Sequence, residues 1–155
     1  MQKKRLTKDQ VLQKLRHYCR YQERCYTEAR NKLFELGINK NEHDEMILEL
    51  VRGNYLNEER FARAFAAGKF KMKEWGRKKI RHALREKRVD PDAIERALEK
   101  INDKDYLDIL QKLAKEKYAS LKDEQYLVRK KKTMDYLMQK GYEEGIIKDS
   151  LEVLK

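Results

Sequence analysis

The sequence predicts an all-α protein made of three tandem three-helix repeats, forming an elongated right- or left-curved array. Three observations support this fold class. The chain has one Pro and six Gly in 155 residues, and 40% of its residues are hydrophobic. Apolar residues recur at helical spacing, and one short pattern occurs three times. Because 42% of the residues are charged, the surface must be large relative to the core, which favours an elongated array.

Three helix starts can be recognised from capping residues. Thr7 and Gln10 have the spacing of a capping box. Asn57 precedes two acidic residues that suit the positive end of a helix dipole. Asp90 followed by Pro91 combines a good N-cap with a residue preorganised for the first helical position. Each signal therefore predicts a helix that begins immediately after the cap.

The repeated pattern covers Ala29–Ile38, Ile80–Val89 and Thr133–Tyr142. Its alignment superposes Leu33, Leu84 and Leu137, then Gly37, Arg88 and Gly141, then Ile38, Val89 and Tyr142. Glycine suits a left-handed position after a helix, whereas Arg88 would adopt that conformation at a higher cost. The pattern predicts repeats at residues 1–54, 55–102 and 103–155.

Aromatic residues are frequent in the middle repeat. Phe61, Ala64, Phe65 and Gly68 recur at one helical face, so we predict that this stripe faces the core. Phe70 and Trp75 flank a connection and could belong either to the core or to a binding surface. Arg60 lies off the stripe, where it could pair with an acid or contact a ligand.

The strongest charge signal is the segment from Lys69 to Arg88, which has ten basic and two acidic residues, net +8. On a helix from Trp75 to Lys87, the arginines at 77, 81 and 85 recur every four residues and are predicted to line one exposed face. Such a face could simply be solvated. We favour a contact with a polyanion or an acidic protein surface, because Arg suits phosphate and carboxylate groups.

A second basic run, Arg129–Lys132, points around all sides of its helix, so it is either solvated or an extension of the same positive surface. The residues predicted to face a partner or DNA are Arg63, Lys69, Lys71, Lys73, Arg77, Lys78, Arg81, Arg85, Arg88, Lys130 and Lys131.

Several function classes are not favoured. His17, Cys19 and Cys25 do not have a familiar zinc spacing, and no motif for phosphate cradling or nucleophilic catalysis occurs. We therefore expect no enzyme activity, no metal and no cofactor. The charged first residues and the lack of a long apolar run predict a cytoplasmic chain with reduced thiols and no membrane segment. No heptad seam predicts a coiled-coil dimer, so we expect a monomer.

The segment Tyr55–Phe65, YLNEERFARAF, resembles the signature of the RecX family, bacterial regulators of the RecA recombinase. The segment Gly76–Ile80, GRKKI, is similar to the family pattern as well. Asn54 and Arg88 stand where the family often has Gly, and Cys25 stands where it often has Ser. The resemblance covers nearly the whole chain and implies three helical repeats.

The same resemblance implies a function. RecX proteins bind RecA nucleoprotein filaments and restrain strand exchange, ATP hydrolysis and cleavage of the SOS repressor. A protein similar to them is expected to bind the filament, with weak and non-specific binding of single- and double-stranded DNA. The alternative is a stand-alone DNA-binding or architectural protein that acts without a recombinase.

Overall fold

A computed structural model describes residues 5–154, which form nine α-helices and no strand. The helices are α1 (Lys8–Tyr21), α2 (Tyr26–Glu35), α3 (Lys40–Arg52), α4 (Glu58–Lys73), α5 (Arg77–Glu86), α6 (Pro91–Glu99), α7 (Asp103–Ser120), α8 (Tyr126–Gln139) and α9 (Glu144–Glu152). Residues 1–4 and 155, at the ends of the predicted first and third repeats, lie outside the described part. The predicted all-α class is confirmed.

The extensive helix–helix contacts fall within three groups: α1–α3, α4–α6 and α7–α9. We call these groups units 1, 2 and 3. The solvent-accessible surface is 10609 Å², whereas a compact monomer of this mass exposes about 8,300 Å². The excess agrees with an elongated array of small helical units. The exact boundaries after residues 54 and 102 stay a prediction, and Leu56 packs into the core of unit 1.

The predicted helix starts are confirmed by their hydrogen bonds. Thr7 and Gln10 form the reciprocal capping box at the start of α1. The Asn57 side chain accepts a hydrogen bond from the backbone of Arg60 at 2.9 Å. Asp90 caps α6, in which Pro91 is the first residue. These caps satisfy N–H groups that have no partner inside the helix.

The aligned ends of α2, α5 and α8 share one backbone geometry. Gly37, Arg88 and Gly141 all have positive φ, at 77°, 60° and 99°. The next residue in each case donates its backbone N–H to the aligned leucine carbonyl, over 3.0 to 3.2 Å: Ile38 to Leu33, Val89 to Leu84 and Tyr142 to Leu137. This is the Schellman pattern. Arg88 therefore adopts the left-handed conformation despite its side chain.

The predicted apolar face of α4 is only partly right. Phe61 is buried, with 4% of its surface exposed, but Ala64 is exposed, and Phe65 and Gly68 are only partly buried. The buried positions after Phe61 are instead Ala62, Ala66 and Phe70. The stripe chosen from the aromatic residues is therefore rotated about the helix axis relative to the face that is buried. α4 packs most extensively on α6, and small alanines let two helix backbones approach closely.

Units 2 and 3 share one hydrophobic core, whereas unit 1 has its own. Tyr106 of α7 connects the two units, with its ring centroid 5.8 Å from that of Phe70 and 5.1 Å from that of Tyr142. The Tyr106 hydroxyl donates to Glu143 at 2.7 Å and accepts from the backbone N–H of Arg77 at 3.0 Å. Burial raises the pKa of Tyr106, so this hydroxyl stays protonated.

The backbones of units 2 and 3 also meet directly. Gly76 donates its N–H to the Lys140 carbonyl at 2.7 Å, and Lys78 donates to the Gly141 carbonyl at 2.9 Å. A β-carbon added at Gly76 would overlap the backbone carbonyl group of Gly141. Glycine is required at position 76 because the two backbone segments approach more closely than any side chain permits.

The junction between units 1 and 2 is mostly polar by comparison. Arg60 pairs with Glu23 at 2.6 Å, and the Thr27 hydroxyl donates to the Lys87 carbonyl at 2.8 Å. The prediction that Arg60 could pair with an acid is confirmed. Cys25 of unit 1 is an apolar exception, because it is buried in the core shared by units 2 and 3.

Gly76→Ala tests the close approach of units 2 and 3. We expect it to lower the free energy of unfolding by about 3 kcal/mol, because the added methyl group forces the backbones apart. Urea unfolding followed by circular dichroism measures the effect. Gly68→Ala is the matched control: its β-carbon meets no atom of the described chain within 4 Å, and alanine favours the helix. Equal midpoints for Gly76→Ala and the wild type would contradict the close approach.

Candidate cationic interface

Arg77, the first residue of α5, joins units 2 and 3. Its guanidinium donates to the Ile101 carbonyl at 2.9 Å and to Asp103 at 2.8 Å, and lies 4.2 Å from the centroid of Tyr106. Only 20% of its side chain is exposed. The expectation that Arg77 lies on an open face is wrong, because these contacts direct its side chain into the junction.

Arg81 is similarly occupied inside unit 2. Its guanidinium forms two hydrogen bonds to Glu95 of α6, at 2.7 and 3.2 Å. The hydrogen bond from Arg81 lowers the pKa of Glu95, and the hydrogen bond to Glu95 raises the pKa of Arg81. The predicted exposed row of three arginines is therefore wrong at two positions. Arg85 and Arg88 are exposed and form no ion pair with residues 5–154.

A different set of cations lies on the opposite side of α5. The Lys79 ammonium lies 4.6 Å from the centroid of the Trp75 ring, and the Lys69 ammonium lies 5.0 Å from it. Lys69 also lies 5.4 Å from the centroid of Phe65, and Lys87 lies 5.9 Å from it. We call these five residues, Lys79, Trp75, Lys69, Phe65 and Lys87, the cation–aromatic row. They form one continuous surface that joins α4 to α5.

The cation–aromatic row borders a groove of about 470 Å³ between units 1 and 2. Phe61, Ala64 and Gly68 contribute apolar surface to this groove. Met72 and Lys73 also line it, and Met72 is 83% exposed. Two acids, Glu23 and Glu28, line the groove too, but they pair with Arg60 and Lys87. The lysines at 69, 73 and 79 form no ion pair within the described chain.

The remaining predicted residues are distributed over several surfaces. Lys71, Lys73 and Lys78 are exposed on unit 2. Arg63 is exposed but faces α6, where it shares a small depression with Arg96 and Lys100. The structure therefore does not gather the predicted residues into one site. Their role in partner or DNA contact stays a prediction.

The residues of the second basic run, Arg129–Lys132, also make different contacts from one another. Arg129 donates to the Tyr118 carbonyl at 2.7 Å and stacks 3.6 Å from the centroid of the Tyr118 ring. Lys131 pairs with Asp135 and Lys132 with Glu124. Lys130 is partly buried. Two of the four cations in this run are thus paired with acids, and the predicted contribution of Lys130 and Lys131 to partner binding is untested.

Sequence reasoning left Lys79 and Lys87 out of the predicted site, and it left Trp75 open between the core and a binding surface. A signal was present, because Lys79, Ala83 and Lys87 recur at i, i+4 and i+8. The predicted Arg77 row had the same spacing and a stronger charge. Two of its arginines, Arg77 and Arg81, have acidic partners on α7 and α6 that a pattern within α5 could not reveal.

The cation–aromatic row can attract carboxylate or phosphate groups. An ammonium group near an aromatic ring is held within about 6 Å by the negative face of the ring, at modest energy. Lys69 and Lys79 keep donors for hydrogen bonds to an anion, since an ammonium has three. The rings also offer apolar contact beside the charge. This combination suits an acidic protein surface or a nucleic-acid backbone.

The cysteines are placed for packing rather than for reaction. Cys19 and Cys25 are both buried and unbonded to each other. Burial raises the pKa of each thiol to about 11, so both are protonated at neutral pH. Within the described residues, no three potential metal-binding side chains of His, Cys, Asp or Glu are grouped together. None of the helices described between residues 5 and 154 is both long and apolar enough to cross a bilayer.

The tandem three-helix units and the exposed lysines of unit 2 define a helical-repeat protein with a cationic surface. The model of the second three-helix domain of RecX matches residues 57–98, and the model of the third matches residues 103–151. The chain belongs to the RecX family. The family resemblance noted in the sequence is confirmed.

Two curated relatives illustrate the family. The regulatory protein RecX of Lactococcus lactis subsp. lactis IL1403 is 32% identical over 142 residues, which cover 90% of this chain and 53% of that protein. The RecX of Clostridium perfringens strain 13 is 34% identical over 118 residues, covering 75% of this chain and 55% of the relative. The chain therefore spans about half the length of these relatives.

Solved structures support the fold. The crystal structure of RecX from Lactobacillus salivarius matches with a TM-score of 0.85 and 24% identity, over 94% of this chain and 95% of that one. A second crystal structure of a regulatory protein RecX matches with a TM-score of 0.80 and 20% identity, over 96% and 81% of the two chains. Both confirm the arrangement of helical repeats.

A pair of substitutions separates structural from exposed arginines. Arg77→Met should lower the free energy of unfolding by about 2 kcal/mol, because the Ile101 carbonyl and Asp103 lose their donor. Arg85→Met should change it by less than about 0.5 kcal/mol, as is usual for exposed side chains. Urea denaturation of the two variants measures both effects. Equal losses of stability would refute the distinction between these arginines.

Proposed function

We propose that this protein is a RecX-like modulator that binds the RecA nucleoprotein filament and inhibits its recombinase and coprotease activities. The observation that carries the proposal is the cation–aromatic row, in which Lys69 and Lys79 form no ion pair with described residues, on a chain of the RecX family. The relatives are named regulatory proteins, which agrees with a non-enzymatic role. Action on RecA filaments implies a cytoplasmic location.

Charge and shape both suit a filament as the partner. The chain has a net charge of +11, whereas a nucleoprotein filament contains DNA with a regular array of phosphates. An elongated array can contact several adjacent sites of a fibre at once. Linked contacts of this kind raise the overall affinity without requiring any single strong contact. Weak and non-specific binding of free single- and double-stranded DNA would follow from the same lysines.

Inhibition requires no catalytic group. A protein that binds one filament conformation better than the others shifts the population towards it. The close packing of units 2 and 3 keeps the row in a fixed geometry, so little order is lost on binding. We propose that binding holds the filament in a state that hydrolyses ATP slowly and does not promote strand exchange or repressor cleavage.

The alternative is a stand-alone DNA-binding protein, which would use the same lysines without a recombinase. The two functions differ in what the protein requires. A RecA modulator acts at sub-stoichiometric amounts on the assembled filament. A stand-alone binder would bind duplex DNA tightly at physiological salt in the absence of RecA.

Charge reversal tests the cation–aromatic row together with Lys73, which lines the groove beside it. The triple variant Lys69→Glu, Lys73→Glu and Lys79→Glu should bind RecA filaments about tenfold more weakly, which corresponds to about 1.4 kcal/mol. Co-sedimentation with filaments on single-stranded DNA measures binding, and RecA ATP hydrolysis measures inhibition. The wild type should slow hydrolysis, and the triple variant should need about tenfold more protein for the same effect.

The matched control reverses three exposed lysines of unit 3, at positions 104, 115 and 122, which form no ion pair with any described residue. It changes the net charge by the same amount and should behave like the wild type. Equal weakening by both triple variants would show a general charge effect and reject the row as the site. If the wild type neither co-sediments nor slows hydrolysis, the proposed function itself is wrong.

A further inference from the structure

A second groove lies on unit 1, away from the cation–aromatic row. It is lined by residues of α1, α2 and their connection, and its volume is about 840 Å³. The lining residues include Lys14, His17, Arg20, Arg24 and Lys32. No carboxylate occurs among the described residues that line it. The family models matched to this chain begin at residue 57, so they assign nothing to this surface.

Two tyrosines accompany these cations. The Arg24 guanidinium stacks 3.7 Å from the centroid of the Tyr18 ring, and its Nε donates to the Tyr18 carbonyl at 3.1 Å. Tyr21 lies at the end of α1, 6.0 Å from the same guanidinium, and is 79% exposed. Arg24 is thus held in place by Tyr18, near the largely exposed side chain of Tyr21.

We propose that this groove binds single-stranded nucleic acid, with a base stacked on Tyr21 and phosphates near Lys14 and Arg24. Exposed aromatic rings beside a positive groove are the recurring means of binding single strands, because every base has a face that can stack. Arg24 can add to the stack, since a guanidinium lies flat on aromatic surfaces. A duplex keeps its bases stacked on one another and offers only its phosphates to this groove.

The occupant follows from the combination of charge and ring exposure. An acidic peptide would use the cations but would gain little from an open aromatic face. A single strand uses the cations and the ring at once, because each of its nucleotides has a phosphate and an accessible base. The site is separate from the row on unit 2, and its test contains no recombinase, so its failure would leave the proposed RecA modulation untouched.

The test is fluorescence anisotropy of a labelled oligothymidylate of about 12 nucleotides with the full chain. Tyr21→Ala should weaken binding about tenfold, and Tyr21→Phe should restore it, because stacking needs the ring and not the hydroxyl. Lys14→Gln should reduce the slope of affinity against salt by about one phosphate contact. Tyr126→Ala, at a tyrosine of α8 that is 47% exposed, is the matched control and should bind like the wild type.

Two further probes identify the occupant. A duplex of the same oligothymidylate with its complementary oligoadenylate should bind with no dependence on Tyr21. A labelled polyglutamate peptide should not lose affinity in Tyr21→Ala. Wild-type affinity of Tyr21→Ala for the oligothymidylate would overturn the proposal. So would an equal loss of polyglutamate binding in that variant, since the groove would then belong to an acidic protein segment.

Discussion

The backbone contact between Gly76 and Gly141 is the constraint on which the arrangement of units 2 and 3 depends. It brings the start of α5 against the turn after α8, so that two hydrogen bonds cross between units. Tyr106 fills the space beside it and joins the two sets of core residues. Because a larger residue at Gly76 would overlap backbone atoms, the junction has little freedom to relax. The cation–aromatic row beside it therefore lies on a rigid part of the structure.

Packing between units 2 and 3 and within unit 2 determines which arginines are available to a partner. Arg77 lies at the contact and uses its donors on Ile101 and Asp103 of the chain itself. Arg81 is used in the same manner on Glu95. Lys79 and Lys87, on the opposite side of α5, lie against Trp75 and Phe65. Within residues 5–154, Lys79 forms no ion pair and Lys87 pairs with Glu28 of unit 1. A high local positive charge does not by itself predict a binding surface, because cations that lie close to acids in the folded chain form ion pairs with them.

The sequence predicted the features that depend on neighbouring residues. The caps at Thr7 and Asp90 involve partners three residues away. The alignment of the repeats placed Arg88 opposite the two glycines, although its side chain argued against the left-handed conformation that it adopts. Features that join distant segments could not be read in this way. The partner of Gly76 lies in another unit, and nothing in its own surroundings indicates how closely that backbone approaches. The row was missed for the same reason, since it combines residues of α4 and α5 through packing.

Native-state hydrogen exchange tests most directly whether units 2 and 3 form one body. The amides of Gly76 and Lys78, which donate across the junction, should exchange with the same opening free energy as the core amides of Ile80 and Tyr142. Core amides of unit 1 should open separately, because its junction with unit 2 is mostly polar. Fast exchange at Gly76, together with different opening free energies for the cores of units 2 and 3, would contradict the rigid junction on which the cation–aromatic row is proposed to lie.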